Sequence, residues 1–110
     1  MKFAITALVF AATLAASTQD VEVTSAVYRV TEQNQTFWRF AYQIEVANRT
    51  AQPIAAKVIV QFLDSEGFEV QDDPNFNVKI PANGAATVNS SRTIRVDTAP
   101  TIKSIRVKIE

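Results

Sequence analysis

The chain has 110 residues, 47% hydrophobic and 20% charged, and its eleven Lys and Arg balance eleven Asp and Glu at a formal net charge of zero. Such a balance supplies no global field for nucleic acid or an anionic membrane surface. Neither His nor Cys occurs, which excludes the usual nucleophile–base pairs, the usual zinc and copper sites and a disulfide framework.

Lys2 gives a positive start, the apolar and small residues from Phe3 to Ala16 follow, and Ala15-Ala16-Ser17 offers a small-residue cleavage site. This is the pattern of a secretory signal peptide. The run is about 14 residues, short of the roughly 20 that a bilayer span requires, although an uncleaved anchor is the competing reading. With the cut after Ser17, or alternatively after Ala15 or Ala16, residues 1–17 are the signal and 18–110 a single domain. The expected location is the periplasm or the medium, with no membrane span in the mature chain. A domain of that size buries only about 60–65% of its unfolded surface, so without disulfides its stability rests on packing.

In chain order, Val21, Val23, Ser25 and Val27 alternate with Glu22, Thr24 and Ala26, which predicts a first strand fading near Val30 before a polar turn over 31–35. The clearest segment is 36–48: Trp38, Phe40, Tyr42, Ile44 and Val46 alternate with Arg39, Ala41, Gln43, Glu45 and Ala47. That is strand period, with one apolar face and one small or polar face. Asn48 to Pro53 makes the connection, because proline cannot donate to a central ladder and Asn bonds turn backbone readily.

A third strand over about 56–63 carries Val58, Val60 and Phe62 on one face, with Ile59 and Leu63 suggesting partial cover on the other. Asp64-Ser65-Glu66-Gly67 is a tight turn, leading into a fourth strand over 68–71. After Asp72-Asp73-Pro74-Asn75, a fifth strand presents Phe76, Val78 and Ile80 and stops at Pro81. Asn83-Gly84 is the second strong turn. The sixth strand runs from Ala86 and Val88 toward Ile94, and a last one alternates Ile105, Val107 and Ile109 with Arg106 and Lys108.

Seven short strands, each with one apolar face, predict an all-β, seven-stranded immunoglobulin-like β-sandwich, with a small Greek-key barrel as the alternative. Both glycines fall at predicted turns and all four prolines between strands, so local chemistry agrees with the pattern.

Val46-Ala47-Asn48-Arg49-Thr50, a following proline, the run from Val58 to Gly67 with its Asp-x-x-Gly close, and Ile80-Pro81-Ala82-Asn83-Gly84 together resemble small exported bacterial immunoglobulin-like domains of the FxLYD type. The likeness extends over about 37–109. Val60, Phe62 and Leu63 stand where Phe, Leu and Tyr are usual in the naming motif, and Asp64 matches in type. The resemblance implies an interaction module of the cell envelope and transfers no catalytic residue.

For function, carboxylates and lysines alone remain. Asp64, Glu66, Asp72 and Asp73 match no calcium-loop spacing, so no metal and no cofactor is expected, and the chain reads as a non-enzyme. Candidate contact residues are Phe37, Phe68 and Phe76 as apolar anchors, Asp72 and Asp73 at the acidic corner, and Lys103, Arg106 and Lys108 on the basic last strand. The expected function is binding or scaffolding through a sheet edge or a loop end. The alternative is a self-associating structural subunit in which the acidic corner of one copy meets the basic strand of the next. The expected partner is therefore a protein or a second copy.

Export is expected to remove the first 17 residues or so. Intact mass of protein recovered from periplasm or medium checks this, and a chain still beginning at Met1 in a membrane fraction contradicts it.

Overall fold

Residues 20–72 and 76–110 are described by the computed structural model; the expected signal peptide and its cut, and Asp73, lie outside them. The strands are β1 (Val21–Gln33), β2 (Phe37–Asn48), β3 (Ile54–Leu63), β4 (Glu69–Asp72), β5 (Phe76–Ile80), β6 (Ala85–Arg95) and β7 (Ser104–Ile109), with one short 3-10 turn at Ala99–Thr101. The chain is all-β. It forms two antiparallel sheets, β1-β2-β6 and a second in which β3 pairs with β4, β5 and β7.

Alternation fixes which residues meet between the sheets. From β2 come Phe40, Tyr42, Ile44 and Val46, and from β3 Val58, Val60 and Phe62, all buried. The Phe62 ring stands edge-on to both Phe40 and Tyr42, with centroids 5.6 and 6.1 Å away, a geometry that adds to area burial for aromatic pairs. Ile105, Val107 and Ile109 of β7 and Ile80 of β5 close the second sheet over them. Trp38 is half-buried at the rim of this core, with its ring 6.2 Å from Phe40. Burial pushes the Tyr28 phenol above its ordinary pKa. Its share of stability is therefore present below the ordinary tyrosine range and lost as pH rises through the folded value.

β1 differs from the pattern expected of it in length and in parity. It continues to Gln33 because its pairing with β2 extends to Gln33 opposite Trp38, and the turn shrinks to Asn34–Thr36. There the Asn34 carboxamide oxygen accepts from the N–H groups of Thr36 and Phe37 at 2.8 and 2.9 Å. A register shift between Val23 and Ser25, and another between Val30 and Glu32, insert bulges. One extra residue reverses the faces, so Ala26 and Tyr28 point inward beyond Val23 while Ser25 and Val27 line the outer side.

The two glycine turns work differently. Gly67 takes the positive φ expected of it, +85°, and the Asp64 carboxylate accepts from the N–H groups of Glu66 and Phe68 at 2.9 and 3.0 Å. At the second turn Asn83 adopts the left-handed conformation, φ +52°. Gly84 is needed for space instead, since a Cβ there would lie 2.8 Å from the Pro81 ring.

Phe62→Ala is expected to cost about 3–5 kcal/mol, because it removes a fully buried ring from between the sheets and leaves a cavity. Trp38→Ala should cost roughly half of that, its ring being partly wet already. Denaturant midpoints of the two variants check the order, and equal losses contradict the placement of Trp38 at the rim.

Candidate functional site

The sequence candidates scatter over three places. Phe37 opens β2 on the outer side of the β1-β2-β6 sheet, half-buried, with the Arg39 guanidinium 5.5 Å from its ring centroid. Arg39 is itself ion-paired with Glu32. Phe37 is thus covered by its own sheet, as a cation over an aromatic face would hold it. Phe76 does not serve as an exposed anchor. It pairs with Val58 and turns its ring toward Tyr42, with centroids 6.3 Å apart. Phe68 is 67% exposed just past the Asp64 turn. It leads into β4, which begins at Glu69 and not at Phe68. Asp72 closes β4 opposite Gln61.

The basic strand β7 and the acidic strand β4 share one sheet of one molecule. In β7, Arg106 lies opposite Gln61 of β3, and β4 places Glu69 opposite Leu63. Arg106 Nε donates to Gln61 Oε1 at 2.8 Å, and Gln61 Nε2 donates to Glu69 Oε1 at 3.0 Å. Gln61 is 8% exposed, so both ends of its carboxamide are satisfied by neighbouring strands. A relay of three side chains ties β7, β3 and β4 together. Strand parity did place Gln61 on the outer face, but nothing in the linear sequence marks the two flanking strands that cover it.

Cationic charge is distributed unevenly. Arg39–Glu32, Arg49–Glu22 and Arg95–Asp97 are ion-paired, all on the β1-β2-β6 side. On the other sheet, Lys57, Lys79 and Lys108, with Lys103 just before β7, have no ion pair among the described residues. By register Lys108 lies opposite Ile59, Lys57 opposite Asn77 and Lys79 opposite Ala55, with Arg106 two residues before Lys108. The result is a diagonal basic band from β7 to β5. Glu110, whose backbone exchanges two 2.9 Å bonds with Lys57, is the acid at its margin.

Edge strands invite pairing unless guarded. β1 carries its two bulges. The edge beside β5 is divided between strands of only 4 and 5 residues. β6 turns Arg92 to the inner side, opposite Phe40, and an inward-pointing charge is a recognised guard. β7 has none of these devices: it is regular over its whole pairing, its inner side is Ile105, Val107 and Ile109, and it pairs only with β3 among the described strands. Because Lys57 and Glu110 form a hydrogen-bonded pair, antiparallel alternation makes Ile59–Lys108 and Gln61–Arg106 bonded pairs as well. The N–H and C=O groups of Ile105 and Val107 are consequently directed away from β3.

Among the described residues, no three acidic side chains converge as metal ligands. The Asp64 carboxylate already holds the backbone of its own turn. No helix of the described residues is long and apolar enough to cross a membrane.

The sequence matches no family model and no curated protein. Its fold does have solved counterparts. One is a candidate beta-galactosidase of Bacteroides fragilis, with a TM-score of 0.51 and 16% identity, covering 69% of this chain and 10% of that one. Another is cj0090 of Campylobacter jejuni, with a TM-score of 0.51 and 15% identity over 88% of this chain and 92% of that one. The chain thus spans about a tenth of the Bacteroides protein and nearly all of the Campylobacter one. At such identities the likeness is one of fold: this chain is a β-sandwich domain.

Gln61→Ala is expected to cost about 1–3 kcal/mol, since it leaves Arg106 and Glu69 without the group that bridges them across β3. Urea unfolding of Gln61→Ala, of Arg106→Ala and of the double variant checks this. Strict additivity of the two losses contradicts the relay.

Proposed function

We propose that the chain is an exported, immunoglobulin-like domain of the cell envelope that binds or scaffolds another protein and carries out no chemistry of its own. Strand addition along β7 is the mode of binding. The observation that supports this is the regular, unbulged β7 edge, paired only with β3 among the described strands, from which Ile105 and Val107 direct their backbone groups outward. An edge left in this state offers main-chain hydrogen bonds to any extended segment of suitable pattern. The signal-like N-terminus supports export.

Self-association is the weaker reading. Arg106 is engaged with Gln61, and Gln61 with Glu69, inside one molecule. Two β7 edges brought together would also oppose basic side chains, and like charges directly opposite destabilise a pair of strands.

Site-specific photo-crosslinking in the producing cell tests the proposal. A photoreactive residue at Lys108 is expected to give a heterologous adduct, whereas one at Thr93, on the outer face of β6, gives none. Equal labelling from both positions, or adducts only with this chain, contradicts it.

A further inference from the structure

Resting on that reading, we infer that the partner segment is an extended acidic strand, in which carboxylates alternate with small apolar residues and lie against Arg106 and Lys108. The selection comes from geometry. Arg106 and Lys108 occupy hydrogen-bonded positions toward β3, so on the open side of β7 they occupy the non-hydrogen-bonded positions of a new antiparallel ladder. In those positions directly opposite residues approach most closely, with Cα atoms about 4.5 Å apart. An incoming side chain at such a site meets a cation at contact range.

Two cations two residues apart therefore ask for two carboxylates two residues apart, on the outer face of the added strand. The residue between them faces Val107 and the edge of the core, and a Val, Ala or Thr suits it. Nearby charge strengthens the preference. Lys57 and Lys79 extend the basic band across the same sheet without an ion pair among the described residues, and Lys103 precedes it. Arg106 uses its Nε on Gln61, and its terminal nitrogens bond no described residue, which leaves them to take a carboxylate. The same charges that keep copies of β7 apart thus admit an acidic strand.

The direct test uses the mature protein and an acetylated, amidated peptide Thr-Val-Glu-Val-Glu-Val-Thr, with binding read by calorimetry and by backbone chemical shifts. The expected result is saturable binding that shifts Ile105, Val107 and their β3 partners and weakens with salt, since exposed charges are screened over about 8 Å at physiological ionic strength. The peptide with Gln for both Glu should bind roughly tenfold more weakly, and so should the Arg106→Glu/Lys108→Glu protein with the original peptide, as two close exposed ion pairs would predict. N-methylation of the peptide amides that face β7 should abolish binding while leaving its charge intact. Equal binding of the N-methylated peptide overturns strand addition in favour of charge attraction alone, and equal binding of the Gln peptide overturns the acidic preference. No binding at all overturns the acidic partner. Amide exchange of the free protein then separates the two readings. Fast exchange at Ile105 and Val107 leaves the open edge standing, and slow exchange there removes it together with the inference built on it.

Discussion

The two sheets are joined at one end by the side chain of Asn48, and much of the remaining geometry depends on that joint. Asn48 is 2% exposed. Its Nδ2 donates to the carbonyls of Gln52, Ile80 and Pro81 at 2.7, 3.2 and 3.2 Å, and its Oδ1 accepts from the backbone N–H and the hydroxyl of Thr50 at 2.8 Å each. Its own backbone N–H donates to Gly84 at 2.8 Å. One carboxamide thereby satisfies the end of β2, the crossing to β3 and the end of β5. Such a network in a low-dielectric setting is costly to leave incomplete and specifies one arrangement when complete. It also explains the close turn beneath it, where Gly84 leaves room for the Pro81 ring.

From that corner the sandwich is set by aromatic packing. With Asn48 fixed opposite Val21 at the C-terminal end of β2, alternation directs Tyr42 and Phe40 inward toward Phe62, and the rings meet edge to face. The opposite end of the core is closed by Trp38, partly wet, and by the Ala99–Thr101 turn, whose Ala99 is fully buried. A domain without disulfides must concentrate its stability in this way, because a short chain offers little apolar area beyond one well-packed layer.

Most of this frame was legible from residue order. The parity of β2, the three inward residues of β3, the Asp64–Gly67 turn and the capping role of Asn48 follow from period and turn chemistry, which are local properties. The parts that escaped depend on pairing. β1 reads as one uninterrupted alternation, yet bulges reverse its faces after Val23, and a bulge is a property of two strands and not of one. Asn83-Gly84 reads as a turn, but which residue takes the positive φ depends on Pro81 above it. Phe76 reads both as part of an apolar strand face and as a contact anchor, and its opposition to Val58 shows that its ring belongs beside Tyr42. Gln61 is the clearest case, since its burial requires Arg106 and Glu69 to arrive from strands far away in sequence.

Edges are likewise invisible until the strands are ordered, and they are where this fold concentrates its differences. Three edges carry a bulge, a break into short strands or an inward charge, each of which hinders pairing with any newcomer. β7 is defended by outward charge alone. A steric or geometric guard rejects every strand, whereas a charge of one sign rejects like and accepts opposite. In the proposed strand addition, Arg106 and Lys108 on an otherwise regular edge would act as such a filter, oriented by the same alternation that buries Ile105 and Val107. Because Arg106 is anchored to Gln61, it does not swing freely, so less side-chain entropy is lost when a carboxylate meets it. On the proposed reading, the interaction that stiffens the sheet internally is also the one that holds Arg106 in place at the edge.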